Sequence, residues 1–184
     1  SKNRFILGAG LGWMKDEFDI YGVKFEDRGS RASEMIEVMR KLWAGGMVEH
    51  HGKYFDFPRL QIAPNPDKTI PIYLSGSSAP ALKRTARLAD GWIGPGNTPE
   101  SASEMLKTLK SLRKEFGREN TPFETIIGLT TPPDLDTFKR LHDEGMTASV
   151  SYPFYFTLGP KSSINDKKRV MEQFANTFIR AFNK

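Results

Sequence analysis

The chain has 184 residues, long enough for one hydrophobic core that buries roughly two-thirds of the unfolded chain's surface, and cramped for two domains. It contains no cysteine, which excludes disulfide scaffolds, thiolate zinc sites and cysteine nucleophiles. Its longest apolar stretches, such as Ile70 to Leu74, fall far short of the ~20 residues of a membrane-crossing helix. The 27 basic residues outnumber 22 acidic ones, a formal charge of +5, so a nucleic-acid partner must be weighed against where the charge sits.

In chain order, Ser1-Lys2-Asn3-Arg4 opens straight into Phe5-Ile6-Leu7 with no secretory pattern, which points to a cytoplasmic protein. Arg4 to Ala9 is a short apolar run ended by glycines, the pattern of a buried strand. Arg31 to Ala44 carries Met35, Ile36, Val38, Met39, Leu42 and Trp43 at helical spacing and stops at Gly45-Gly46. Val48 to Phe57 predicts a small β-hairpin turning at Gly52-Lys53, an insertion spanning about 46–58. Pro64-Asn65-Pro66-Asp67 then makes a stiff linker.

Ile70 to Ser75 predicts a second buried strand, Pro80 to Ala89 its helix, and Gly91-Trp92-Ile93 a short third strand. Thr98-Pro99-Glu100 is a strong helix start: a hydroxyl cap, proline in the first turn, then an acid. The helix runs to about Phe116 and stops at Gly117. Phe123 to Leu129 and Met146 to Tyr152 read as the last strands, Leu135 to Glu144 and Asp166 to Phe182 as the last helices.

This alternation is the signature of a parallel α/β architecture in one domain, 1–184. About five strand–helix units are present, whereas a closed (β/α)8 barrel needs eight and ~250 residues. Doubly wound sheets need fewer strands, so the pattern leaves both architectures open. The densest basic set, Lys107, Lys110, Arg113, Lys114 and Arg118, falls opposite Met105, Leu106, Leu109 and Leu112. It reads as one solvated helix face, with no aromatic-studded basic strand beside it, and no nucleic-acid partner is expected.

Gly8-Ala9-Gly10-Leu11-Gly12-Trp13 follows a strand but places Trp13 where the dinucleotide fingerprint needs its third glycine, and no Gly-Lys-Ser/Thr follows. Ser75-Gly76-Ser77-Ser78 joins a strand to a helix. Backbone N–H groups and two hydroxyls at a helix N-terminus suit an anion, and glycine admits a phosphate closely; plain helix capping by Ser77 or Ser78 is the alternative. Arg84 and Arg87 are expected to form salt bridges with Asp90 or its neighbours. His50, His51 and His142 lack metal-ligand spacing and read as surface residues. Tyr152, Phe154, Tyr155 and Phe156 suit either a substrate pocket or an aromatic plug.

Several motifs recur in a telling order: Arg4-Phe5-Ile6-Leu7-Gly8-Ala9-Gly10-Leu11-Gly12-Trp13, then Glu17-Phe18, Gly22, Phe25 and Arg28. Glu34-Met35-Ile36-Glu37-Val38-Met39-Arg40-Lys41-Leu42-Trp43 follows, with Val48, Gly52-Lys53-Tyr54-Phe55 and Pro64-Asn65-Pro66. Pro71-Ile72-Tyr73-Leu74-Ser75-Gly76-Ser77-Ser78 and Arg84 through Arg87-Leu88-Ala89-Asp90-Gly91-Trp92 complete the set. Together they closely resemble the luciferase-like flavin- and deazaflavin-dependent oxidoreductases, the bacterial luciferase superfamily, densely from about residue 1 to 95 and vaguely beyond.

The resemblance implies a TIM (β/α)8 barrel in which the Arg4-Phe5 strand is the fourth, so the chain is expected to form units four to eight. It opens within the family pattern Ser-x-Gly-Arg-Phe, here Ser1-Lys2-Asn3-Arg4-Phe5. About three units, roughly 100 residues at ~30 each, are then expected to be absent. An incomplete parallel sheet leaves unpaired edges and an apolar face, so a homo-oligomer such as a dimer, or association with the missing barrel portion, is expected.

By the same resemblance, Gly76, Ser77 and Ser78 grip the phosphate of FMN or of the deazaflavin F420, and Gly10, Gly12 and Trp13 approach the cofactor's ribityl chain and ring. Trp13 either walls that pocket or is plain core. Bacterial luciferase has a phosphate-binding arginine where Leu11 stands. The family's sugar-phosphate dehydrogenases have a catalytic glutamate at the position of Trp13 and a cofactor-contacting asparagine at that of Asp16, which argues against their activity here. The glycine-rich opening and Ala89-Asp90-Gly91-Trp92 look more like the F420 branch. Most members carry their acid/base residues on the early strands, so no catalytic residue is named. The implied function is a luciferase-like oxidoreductase or monooxygenase segment using F420 or FMN on a small organic substrate. The alternative is a non-catalytic, self-associating barrel fragment that at most binds a phosphate-bearing ligand.

Overall fold

Parallel strands cannot be joined by tight turns, so each junction must carry the chain back across the sheet, usually as a helix. A computed structural model describes residues 4–182, and the chain makes this crossover four times. The elements are β1 (Leu7–Ala9), α1 (Lys15–Ile20), α2 (Arg28–Trp43), β2 (Val48–His51), β3 (Asp56–Leu60), β4 (Ile72–Ser75), α3 (Ala79–Leu88) and β5 (Gly91–Asn97). Then come α4 (Pro99–Glu115), β6 (Glu124–Leu129), α5 (Leu135–Asp143), β7 (Ala148–Val150), α6 (Pro153–Thr157) and α7 (Ile164–Phe174). A π-helical stretch (Ala175–Ile179) and α8 (Arg180–Phe182) close the described chain. The main sheet is parallel in the order β1-β4-β5-β6-β7, and β2 and β3 form a separate antiparallel hairpin. Residues Ser1 to Asn3 of the opening family pattern lie outside the described residues.

The helices cover one face. Trp92, Ile127 and Leu129 pack with Leu82 and Ala86 of α3, Leu106 and Leu109 of α4, and Phe138 and Leu141 of α5. Ile72 and Leu74 pack with Ile36 of α2 and Ala89. Each buried Leu, Ile or Phe among them contributes roughly 1.5–3 kcal/mol through removal from water. On the opposite face Gly8 abuts Ile93, and a Cβ at Gly91 would lie 2.7 Å from the Tyr73 ring. Strands β1 and β7 are the outer strands of the order, each with one paired neighbour, and Phe5, Ile6 and Val150 are exposed beside them. The α/β fold with five parallel strands and a small hairpin is the one expected.

The differences have local causes. Strand β5 runs seven residues, beyond Gly91-Trp92-Ile93, because Gly94-Pro95-Gly96 is a bulge and not a turn: the register with β6 shifts between Gly94 and Asn97, the place where a strand tolerates proline. Helix α1 buries no residue and carries no apolar period to betray it. The final helix starts earlier than expected, at a Ser163–Asp166 capping box, and widens into the π stretch. Arg113 is not on the solvated face of α4. It is 5% exposed, lies 4.1 Å from the Phe123 ring centroid and donates to the carbonyls of Arg118 and Thr121. Arg118 lies past the helix end and reaches Asp90 at 3.5 Å, leaving Lys107, Lys110 and Lys114 on that face.

His50 also departs from a surface reading. Its side chain is mostly buried, with Nε2 3.2 Å from Glu34 Oε1 and its ring against Phe57. Glu34 is the anchor of the hairpin: its carboxylate accepts the backbone N–H groups of Lys53, Tyr54 and Phe55. Burial alone would raise this carboxyl's pKa, but the amides of Phe55 and Tyr54, His50 and the Lys53 amide outweigh it and hold it below the ordinary value. Gly52 lets the carboxylate in, since a Cβ there would lie 2.0 Å from Glu34 Oε1. Because the folded value is depressed, the contribution of Glu34 is complete above the ordinary glutamate pKa of about 4.3 and disappears as pH falls through the folded value. Both Gly52→Ala and Glu34→Gln are expected to speed hydrogen exchange at the Tyr54 and Phe55 amides at neutral pH. In the wild type, acidification is expected to lower the protection factor of the same amides relative to their slower intrinsic exchange at low pH, and unchanged protection in all three cases would show that another contact holds the hairpin.

Candidate functional site

All five strands of the main sheet point the same way, so their C-terminal ends share one rim, and α3, α4 and α5 begin there with N–H groups facing outward. Strands β1 and β4 stay in register to Ala9↔Leu74, which brings the segment after Ala9 beside the Ser75–Ser78 turn. Gly10, Gly12, Trp13, Gly76, Ser77 and Ser78 therefore lie at one rim of the sheet.

The turn after β4 is built by backbone constraint. Gly76 has φ +114°, and a Cβ there would lie 2.9 Å from Ala81 Cβ. Its carbonyl accepts the indole N–H of the fully buried Trp92 at 3.0 Å, and Ser75 Oγ donates to the Ile93 carbonyl at 2.9 Å. Both bonds pin the turn to β5. Ser77 and Ser78 are exposed, and Ser78, at the N-cap of α3, makes no side-chain cap bond. Thr98, Asp134 and Ser163 do cap α4, α5 and α7. Plain capping is thus not what the α3 serines do; their hydroxyls and the first amides of α3 stay open at the rim.

Around this turn the rim is walled by backbone. Gly12 has φ +81°, and a Cβ there would strike the Phe18 ring at 2.7 Å, whereas a Cβ at Gly10 would meet nothing within 4 Å. Trp13 is 81% exposed, which rules out the core alternative and leaves an indole standing free at the rim. The sequence shows no motif for the next part: Gly94 leaves room for the Trp92 ring, which a Cβ would meet at 2.6 Å, and Gly96 has φ +51°. Asn97 is buried, held by Ser101 and Pro95, and its carbonyl accepts from Thr130. Gly128, on β6, lies under the Tyr152 hydroxyl, 3.2 Å from where a Cβ would be. Glycines at the ends of four adjacent strands were the available signal.

Other expected contacts fall elsewhere. Asp90 accepts from Arg40 at 2.8 Å and from the Ile72 amide, with Arg118 at 3.5 Å, so neither Arg84 nor Arg87 pairs with it. Arg118 takes the Asp90 position because its guanidinium also reaches the Arg87 carbonyl. His51 pairs with Asp56 at 2.6 Å, and His142 Nδ1 lies 3.1 Å from the Met146 carbonyl with its ring against Phe182. Tyr152, Phe154 and Tyr155 are exposed around the short α6, and Phe156 is half-buried beside them. Among the described residues no three His, Asp or Glu converge as metal ligands would.

A parallel α/β sheet with a backbone-walled rim and an uncapped helix N-terminus is a candidate site, chemically suited to an anionic small molecule at the strand ends. The family model for luciferase-like monooxygenases matches residues 1–168, and the chain belongs to that family. An uncharacterised protein of Mycobacterium tuberculosis is 36% identical over 179 residues, covering 96% of this chain and 62% of its own length. An F420-dependent glucose-6-phosphate dehydrogenase of Segniliparus rotundus is 27% identical over 192 residues, covering 97% of this chain and 56% of its own. The chain thus spans about 60% of the length of these curated relatives. The coenzyme F420-dependent tetrahydromethanopterin reductase of Methanopyrus kandleri superposes with a TM-score of 0.72 at 17% identity, over 96% of this chain and 74% of that one, a likeness of fold.

Trp92→Phe keeps the apolar ring but leaves the Gly76 carbonyl without its donor. We expect a loss of roughly 1–3 kcal/mol and faster exchange of the Leu82 amide, which donates to the Ser78 carbonyl across the start of α3. Thermal melts with hydrogen exchange would check it; an unchanged Tm and unchanged exchange would show that the indole N–H does not hold the turn.

Proposed function

We propose that the chain is the phosphate-gripping segment of a cytoplasmic luciferase-like oxidoreductase that uses F420 or FMN on a small organic substrate. The observation that carries this is the Ser75–Ser78 turn, a glycine-built cradle pinned by Trp92 at the N-terminus of α3 and left uncapped by its own serines. These residues fit a phosphate: two free hydroxyls, open first-turn amides and no side chain at position 76 to bar close approach. Family membership supports the reaction class, and relatives named as F420-dependent favour F420 over FMN.

In this reading Gly76, Ser77 and Ser78 bind the phosphate, and Gly10 and Gly12 let the cofactor lie against backbone. The exposed Trp13 indole walls the ring from water. The bound cofactor's ring supplies hydride transfer or oxygen activation, and the protein supplies position and dryness. Trp13 offers no titratable group, so it orients and shields without moving a proton. That absence separates this chain from a sugar-phosphate dehydrogenase, even though some relatives bear that name.

The second reading is a non-catalytic, self-associating module, favoured by the outer strands β1 and β7 and by exposed Phe5, Ile6 and Val150. Self-association is expected under both readings, and light scattering that returns the mass of one chain at high dilution would refute it. A fluorescence titration with F420 and with FMN in phosphate-free buffer tests the first reading. Saturable F420 binding, weakened roughly tenfold or more by Gly76→Asp, is expected. Binding of neither cofactor, or binding indifferent to Gly76→Asp, would overturn the cradle; turnover of reduced cofactor would exclude the non-catalytic module.

A further inference from the structure

On the helical side of the sheet, α2 and α3 pack together, and the contact is made by an arginine lying on a glycine. Gly29, in the first turn of α2, has no side chain, and Arg84 Nη1 from α3 occupies the space: a Cβ there would lie 2.9 Å from it. Arg84 Nε is buried and has no acceptor. Beside it, Arg28 stacks 3.7 Å from the Phe25 ring centroid and donates to the Phe25 carbonyl at 2.9 Å, which fixes its guanidinium in place. Arg87 follows Arg84 by three residues on α3, one turn along the same face. Arg31 flanks the group, 4.8 Å from the Tyr54 ring centroid, with its own Nε buried and without an acceptor.

The four guanidinium groups share one sign. Among the described residues none of these four arginines makes a salt bridge; Glu34 is engaged by the hairpin amides and Asp90 by Arg40 and Arg118, and the acid nearest in sequence is Asp27, the N-cap of α2. Arg28 and Arg31 also occupy the first turn of α2, the positive end of its dipole, where the helix carries no acid. Burial pushes the Arg84 guanidinium below its ordinary pKa, and Arg28 and Arg87 push it further the same way. A partly desolvated cation held near other cations at a helix N-terminus is a costly arrangement that a bound dianion would reverse.

We infer that Arg28, Arg84 and Arg87 form a second anion site, between α2 and α3, that takes a phosphate group. Guanidinium forks match tetrahedral oxyanions with paired N–H donors, and Gly29 clears the approach of Arg84. Arg84 is the sixth residue of α3, about 8 Å along the helix from its start at 1.5 Å per residue, so the site is separate from the Ser75–Ser78 turn. It stands whether or not the cofactor reading does.

The test follows arginine Nε–H signals by NMR in the full chain during titration with inorganic phosphate, with ionic strength held constant by sodium chloride. The expected result is a saturable shift of the Arg84 signal. Arg28→Gln and Arg87→Gln, each otherwise native in its spectrum, are expected to weaken it about tenfold, and Gly76→Asp to leave it in place. A shift that never saturates, or one equal in Arg28→Gln and wild type, would overturn the site. So would an Arg84 signal that ignores phosphate but responds to protein dilution, since carboxylates of a second copy would then be what covers the cluster.

Discussion

The Trp92 indole is buried in the centre of the helix-facing core, and its N–H ends on the carbonyl of Gly76. A buried donor without an acceptor is expensive, so this bond makes the shape of the β4–α3 turn a condition of packing the core. Gly94 belongs to the same constraint, because only a missing side chain lets the indole lie where it does. The cradle is therefore not a loose loop appended to a scaffold. Its backbone amides are held in place by the core, the arrangement that would lower the ordering cost of binding under the proposed function.

The joints of the fold are made by carboxylates that accept main-chain amides. Asp90 binds the Ile72 amide while drawing in Arg40 and Arg118, tying the start of β4 to α2 and to the loop after α4. Glu34 gathers three consecutive hairpin amides onto α2. Acids spent in this way cannot neutralise other arginines. The formal excess of +5 is accordingly uneven, with a concentration of uncompensated guanidinium groups between α2 and α3.

Much of the fold was legible because its signals are local. The Thr98-Pro99-Glu100 start works as read, with Thr98 Oγ1 accepting from the Ser101 amide, and the apolar spacing of Arg31 to Ala44 lies within α2. The Ser75–Ser78 turn stood out because a glycine and two hydroxyls meet there between a strand and a helix N-terminus. What escaped depended on partners distant in sequence. Helical spacing placed Arg113 beside Lys110 and Lys114, but Thr121 and Phe123, beyond the helix end, draw it inward. The strand read as Gly91-Trp92-Ile93 extends to Asn97 because Gly94-Pro95-Gly96 bulges against β6, which local sequence does not reveal. Nothing in the sequence around Trp13 told an exposed indole from a buried one, since burial there is decided by which elements leave it uncovered.

In the main sheet, spatial order equals chain order: β1, β4, β5, β6 and β7 follow one another with no strand slotted in out of turn. Each new strand needs only the one already laid down as its template. Such a chain suits vectorial synthesis, because a ribosome delivers each unit after the edge it docks on, and long-range loop closures stay few. The same seriality lets the fold be lengthened or shortened by whole units at its ends without re-threading what is already built.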